Sequence, residues 1–422
     1  MADDRKPKEP QDLPEGWKWV KLGEVIEETY PGEWGDNPTD TYSKNIFPVF
    51  STLAIDYDGR IDFTKAVPRK LNKKKIEKLK LKKGMILIEK SGGSTDTPAG
   101  KVAILKQNFE GTCSNFIQIL KPNNNICDSY YLFYRLLYNF KNNLIGKYQQ
   151  KTTGIINFIL KDYFNEYIPL PPLPEQRKIA EILETVDNAI EKTEKIIEKY
   201  KRIKQGLMRD LLTKGIDEKG NIRSEKTHKF KDSPLGRIPE EWEVVRLGEV
   251  LYFKNGKSPI FSEEGVYPVY GSNGLIGFSK IYQFEGEHLI IGRVGASGEV
   301  RMVSGKFFAS DNCLVGLLIK EEGVNLKYMF YYLKYFDLKR FITQTAQPLI
   351  TQSLINNLLL PLPPLSEQKR IAEILSQIDQ AIEKEEKYKE KLERLKKGLM
   401  ENLLTGKVRV YKLMEGEVNE MA

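Results

Sequence analysis

The sequence predicts an α+β fold built twice: two β-rich globular domains, each followed by a long helix, with the two helices pairing as an antiparallel coiled coil. Three observations carry this. Residues 169–213 and 361–405 align without a gap at an offset of 192, and 29 of the 45 positions are identical. Upstream of each copy stands the same opening, P-E-x-W followed by L-G-E-V, at residues 14–25 and 239–250. Between opening and helix lie short apolar runs bounded by Gly, Asn, Ser or Lys, the signature of strands. A long internal repeat of this kind is a duplicated structural unit.

Taken in order, the chain of 422 residues divides as follows. Residues 1–13 are charged, without an apolar core, and read as a flexible tail, neither signal peptide nor anchor. Residues 14–168 form the first domain, with strand-like runs at 85–88, 102–105 and 116–120 and an aromatic helix at 129–140. Residues 169–215 form the first spacer helix. Its Pro-rich entry (Pro169, Pro171, Pro172, Pro174) suits an extended lead-in and a first turn, and no further proline occurs until Pro234. Ile179, Leu183, Val186, Ile190, Ile197, Tyr200, Leu207 and Leu211 recur at steps of 3, 4 or 7, with Thr193 and Lys204 standing in the seam. A polar, Gly-containing linker is expected at 216–238.

The second domain, 239–360, has strand-like runs at 288–291 and 313–319 and an aromatic helix at 326–336. It is 33 residues shorter than the first. The second spacer helix, 361–406, carries Ile371, Leu375, Ile378, Ile382, Leu392 and Leu399, interrupted by Glu385 and Lys389. Residues 407–422 read as a tail. A 38-residue amphipathic helix would be about 57 Å long and cannot bury its stripe alone; the other copy is the obvious partner. Gly206 and Gly398 sit inside the helices, where close contact or a kink is the expected reason.

Composition excludes several classes. No run is long and apolar enough to span a membrane. Cys113, Cys127 and Cys313 lack metal-ligand spacing and fit buried positions in a reducing cytoplasm. Two histidines, His228 and His288, stand without partner clusters, which leaves metal and triad sites short of parts. Gly256-Lys257-Ser258 is not a P-loop, because Leu251 occupies the place of its first glycine, and Gly100-Lys101 is followed by Val102. The glycines of residues 292–298 do not fit a dinucleotide fingerprint, and no methyltransferase [DNS]-P-P-[YFW] occurs.

What remains points to binding. The net charge is +8, and a basic surplus favours an anionic partner. Residues 65–83 hold ten basic residues against one acidic residue, Glu77. Arg69, Lys70, Lys73 and Lys74 are its candidates for phosphate contact; a solvated helix face explains the run as well. The loop at 90–101 offers Ser91, Ser94, Thr95 and Lys101; the corresponding loop at 291–300, with its neighbour, offers Arg293, Ser297 and Arg301. Glycines there allow close backbone approach, though a tight hairpin needs them too. Gln149, Gln150 and Lys151, and later Gln344 and Gln347, hold equivalent places where amides could read base edges. Lys254, Lys257, Ser272, Asn273 and Lys280 complete the candidates in the second domain.

P-L-P-P-x-x-E-Q-x-x-I-A-x-I-L before a long helix, twice, each time after a P-E-x-W…L-G-E-V domain, resembles the DNA-specificity subunit of type I restriction–modification enzymes. The resemblance covers nearly the whole chain. It implies two target recognition domains, each reading half of a bipartite, asymmetric site on double-stranded DNA, held apart by the helices. It implies two methyltransferase (modification) subunits and restriction/translocase subunits as partners. S-adenosylmethionine, ATP and Mg would belong to those partners, with no cofactor, metal or catalytic residue in this chain. The rival readings are a coiled-coil scaffold for proteins, a self-sufficient restriction–modification polypeptide, and an orphan specificity subunit.

Overall fold

The computed structural model describes residues 13–38, 45–93, 98–152, 155–319, 322–341 and 349–410. The chain divides into two compact units: residues up to Lys192 together with those from Lys389 onward, and Thr193–Tyr388. Each unit therefore holds one β-rich domain, one half of the first long helix and one half of the second.

In the first unit the entry strand Lys18–Lys21 pairs antiparallel with Tyr167–Leu170, so the domain's two ends are clasped together. Its main sheet runs in the order Ile26–Pro31, Ile117–Pro122, Ile86–Glu89, Val102–Ile104. The central strand Ile86–Glu89 is buried throughout, as expected for an apolar run with helices and sheet on both sides. A second sheet joins Val67–Lys70, Ile46–Phe50 and Thr112–Cys113, the last two parallel. A third joins Gln149–Thr152, Ile155–Phe158 and Ser91–Gly93. The aromatic helix Ser129–Lys141 starts at Asp128, whose carboxylate accepts from the amides of Tyr130 and Tyr131. Tyr131, Phe133, Tyr134 and Phe140 are core residues.

The second unit repeats the plan. Glu243–Arg246 pairs with Leu359–Leu362. The main sheet runs Leu251–Asn255, Cys313–Leu318, His288–Gly292, Val300–Val303, and the second runs Gly274–Ser279, Tyr267–Gly271, Lys306–Ala309, Phe284–Glu285. The aromatic helix Leu326–Phe336 is capped by Asn325.

The long helices span Leu173–Thr213 and Leu365–Leu404, 41 and 40 residues. The repeated E-Q pair fastens their starts. Gln176 is fully buried; its amide donates to the carbonyls of Pro171 and Ile126 and accepts from the amide of Asp128. Gln368 does the same with Pro363, Gly323 and Asn325. Glu175 accepts from the indole of Trp17 and from Arg409. Glu367 accepts from Trp242 and Arg223.

Within the first unit the opening half of the first helix lies against the closing half of the second, so the helices run antiparallel. Val186 and Ile190 pack on Leu392 there, with Leu399 beside them. In the second unit Leu207, Met208, Leu211 and Leu212 share a core with Ile371 and Leu375. Ile197 and Ile382 are buried, and Ile378 is half-buried. The stripe is not spent on the other helix alone: Ile179 and Leu183 join the first domain's core, under its aromatic helix. The cation in the seam is also accounted for. Lys204 pairs with Asp379, which accepts from Tyr331 at 2.8 Å. Lys396 pairs with Asp187, which accepts from Tyr134 at 2.8 Å.

Three expectations need correction. The stretch 216–238 is an ordered part of the second unit: Ile216 and Arg223 are buried, and Phe230–Ser233 pairs with Gly236–Pro239 as a hairpin. The start of the expected C-terminal tail belongs to the first unit, where Val410 lies in the core and Arg409 grips Glu175. Both segments are polar on average, yet each supplies one arginine and one apolar side chain that the core needs. Finally, a Cβ at Gly206 or Gly398 would meet nothing within 4 Å, and both helices run through unbroken. Close contact within the chain is not their reason.

Candidate nucleic-acid interface

In each domain the strand that carries the F-P-V-F or Y-P-V-Y echo delivers the chain into a turn, and two more turns are hydrogen-bonded beside it. In the first domain the amide of Ser114 donates to Phe50 (2.8 Å), and that of Lys90 to Phe116 (2.9 Å). Ser91–Gly93 then pairs with Ile155–Phe158, and an added Cβ on Gly92 would lie 3.5 Å from the Thr52 hydroxyl. In the second domain Ser310 donates to Tyr270 (2.8 Å), Arg293 to Asn312 (2.8 Å) and Ile350 to Arg293 (3.0 Å). The two surfaces share one backbone plan.

The plan is pinned by a cation from the corresponding strand in each domain, two register positions apart. Lys101 donates to the carbonyls of Thr52 (3.0 Å) and Ile55 (3.2 Å) and pairs with buried Glu89. Arg301 donates to the carbonyl of Asn273 (3.0 Å). Both charges are thus turned inward on the turn. Burial pushes the Glu89 carboxyl above its ordinary range, against the pull of Lys101. Burial likewise holds the Lys90 ammonium below its ordinary range.

The candidates fall into groups. Gln150 and Lys151 are exposed on the edge strand Gln149–Thr152, whereas Gln149 is occupied by both backbone groups of Ala99. Ser91 donates to Asn157. Ser272 lies against Gly292 and Gly295, which flank Arg293, and Lys257 is bridged to Ser310 beside the turn. Ser297 is buried and donates to the carbonyl of Arg293. Lys254 is exposed, and Lys280 pairs with Glu264. Ser94, Thr95, Gln344 and Gln347 lie outside the described residues.

Apart from Lys65, whose ammonium donates to the Leu53 carbonyl (3.2 Å), the basic run is not brought to this surface. Lys70 pairs with Ile46, at the far end of the strand whose other end leads into Ser51, about 16 Å away at 3.3 Å per residue. Arg69 stacks over Trp34 at 4.2 Å, and Lys70, Lys73 and Lys74 are exposed. Lys75 and Lys78 are engaged by Glu33 and Glu28. The glycine of the G-K-S triplet is structural: a Cβ on Gly256 would lie 2.0 Å from the carbonyl oxygen of Ser310.

Residue types alone did not single out Leu53, Phe116 or Asn312, which stand on these turns fully open to solvent or nearly half so. Their signal was positional: Leu53 and Asn273 are each the third residue after the echo. Among the described residues no cluster of His, Cys, Asp and Glu could hold a metal, and no helix is long and apolar enough to cross a membrane.

Paired domains with matched turn surfaces, each bound into a long helix pair, define a twofold-repeated recognition protein without a resident metal cluster among its described residues. The family model for the type I restriction modification DNA specificity domain matches twice, over residues 14–202 and 239–394, and the chain belongs to that family. It is 33% identical to the type I restriction enzyme MjaVIII specificity subunit of Methanocaldococcus jannaschii, over 95% of both chains. Its fold is that of the type I restriction–modification S subunit from M. genitalium (20% identity, TM-score 0.65, 94% of this chain and 98% of that one). A second structure, concerned with complex assembly in the type I system, aligns with a TM-score of 0.54 at 22% identity over 94% of this chain and 100% of that one.

Proposed function

We propose that the chain is the DNA-reading subunit of a type I restriction–modification complex. Each domain reads one half of an interrupted, asymmetric site through its three-turn surface, and the long helices set the spacing between halves. The observation that supports this most directly is the double family match, which covers both domains together with their helices. Helices of 41 and 40 residues extend about 60 Å at 1.5 Å per residue, enough to relate elements one DNA turn (about 34–36 Å) apart. Linking two modest binding modules makes affinity depend on both engaging, so spacing becomes part of specificity. The two domains differ in sequence outside their openings, so the half-sites differ. Two modification subunits and the restriction/translocase subunits dock on this chain and bring S-adenosylmethionine, ATP and Mg; catalysis is theirs. The test is modified-base sequencing of the host genome with the gene intact and deleted. Loss of methylation at one interrupted motif is expected; an unchanged methylome refutes the proposal.

A further inference from the structure

The two recognition surfaces share the backbone bonds that fix two of their turns and differ in the chemistry those turns present. Strand register makes Phe50 and Tyr270 equivalent, since each pairs with the residue just before the Ser114 or Ser310 turn. Leu53 and Asn273 are each the third residue beyond that point, on connections of different build: Leu53 stands in the 3-10 turn Thr52–Ala54 of a long connection, and Asn273 in the two-residue turn between Gly271 and Gly274. The bonds from Lys90 to Phe116 and from Arg293 to Asn312 make Phe116 and Asn312 correspond. Leu53 is 77% exposed and Phe116 48% exposed, while Asn273 and Asn312 are open to solvent.

An exposed leucine at this point is not explained by folding. Its turn is held without it: Lys101 and Lys65 bond the backbone carbonyls of Thr52, Leu53 and Ile55, and Ser51 accepts from the Leu53 amide. The side chain is thus presented by a fixed turn beside the sheet that carries Gln150 and Lys151, since Gly92 of that sheet lies next to Thr52. A cation and an amide beside apolar tips suit an anionic partner with apolar features, and in the major groove of DNA the apolar feature is the thymine methyl. Asparagine on such a turn pairs with the N6 and N7 groups of adenine.

Resting on the DNA-reading function proposed above, we infer that Leu53 and Phe116 select thymine in the half-site of the first domain, and that Asn273 and Asn312 select adenine in the half-site of the second. Phe116 and Asn312 are specificity determinants at equivalent points of one scaffold, and Leu53 and Asn273 act from the first turn after the echo strand in their respective domains.

The experiment has two arms on the full chain with its partner subunits. In the host, Leu53→Asn with Phe116→Asn should alter or relax the base requirement in one half-site and leave the other half-site and the spacing intact; Asn273→Leu should do the converse. Unchanged half-sites in both variants overturn the inference. On purified complex, replacing each thymine of the affected half-site by uracil removes one methyl group and should weaken wild-type binding about fourfold at one position. The Leu53→Ala variant should bind the thymine and uracil sites alike. Equal wild-type affinity for every uracil-substituted site overturns the inference even if the variants fail to fold. The proposed function fails separately, when the wild-type gene supports no interrupted motif at all.

Discussion

Glu367→Gln removes one negative charge from a buried junction and leaves its shape intact. Glu367 is 6% exposed and Arg223 8% exposed, and the indole beneath them is fully buried. The carboxylate accepts from Trp242 (3.1 Å), from the amide of Ile216 (2.8 Å) and from both terminal nitrogens of Arg223. The amide can keep one of these acceptor roles but must turn its NH2 toward a donor. Arg223 is left with Glu241 at 3.0 Å, whose side chain is exposed. Breaking a buried pair from one side costs about 3–5 kcal/mol, and the remaining Glu241 contact places this case near the lower end, at about 3 kcal/mol. At about 2–4 °C per kcal/mol for a domain of this size, the thermal transition of the second unit should fall by about 6–12 °C. Hydrogen exchange in peptides covering residues 216–246 should quicken by the same free energy. Arg223→Met on the Glu367→Gln background should recover part of the loss, because the stranded cation is gone. A Glu367→Gln protein within about 0.5 kcal/mol of wild type, or a double variant as unstable as the sum of the singles, would refute the reasoning.

Gly206→Ala and Gly398→Ala should each stabilise the free chain by about 1 kcal/mol, since the new methyl meets open space inside a continuous helix; a lowered melting temperature would count against this. The thiols of Cys113 and Cys127, both pushed up to about 12 by burial, and that of Cys313, pushed up for the same reason, should resist iodoacetamide at pH 8 until the protein unfolds. Rapid labelling of folded protein would contradict it. Glu89 has a folded-state pKa raised by burial, so its contribution to stability is complete below its unfolded value and is lost as pH rises through the folded one. Glu89→Gln should therefore flatten the decline in stability above about pH 4.3, as read by denaturant melts across that range.

The repeat made the architecture legible. A long heptad stripe and one proline-rich entry, present twice, leave few alternatives to paired long helices. Less legible was where the stripe goes: Ile179 and Leu183 follow the same spacing as Val186 and Ile190, yet they are covered by the first domain together with the other helix, while Val186 and Ile190 meet the helix alone. Periodicity reports that a face is buried and is silent on what buries it. The polar segments after each helix misled for a related reason, because one buried arginine in a run of Lys, Glu and Gly looks like any solvated charge. Arg223 and Arg409 are visible only once their carboxylates are placed. At the candidate interface, glycine and amide clusters lie on or beside the hydrogen-bonded turns, but Lys101 and Gln149 spend their polar groups on backbone carbonyls and amides of their own domain. The exposed apolar tips gave no signal by type. They emerge from register alone.

The division of the chain into units also sets the order in which its parts can be completed. The second unit is one continuous stretch, Thr193–Tyr388, nested inside the first. During synthesis, domains generally fold as units and in N-terminal order, but here the domain that leaves the ribosome first cannot be finished first. Trp17 and Glu175 wait for Arg409, and the core around Ile179 and Leu183 waits for Leu403, Leu404 and Val410. A chain cut short beyond residue 388 would carry a finished second domain and an open first one, with a buried carboxylate and an apolar groove exposed to chaperones and proteases. The closing arginine thereby acts as a receipt for translation of everything before it.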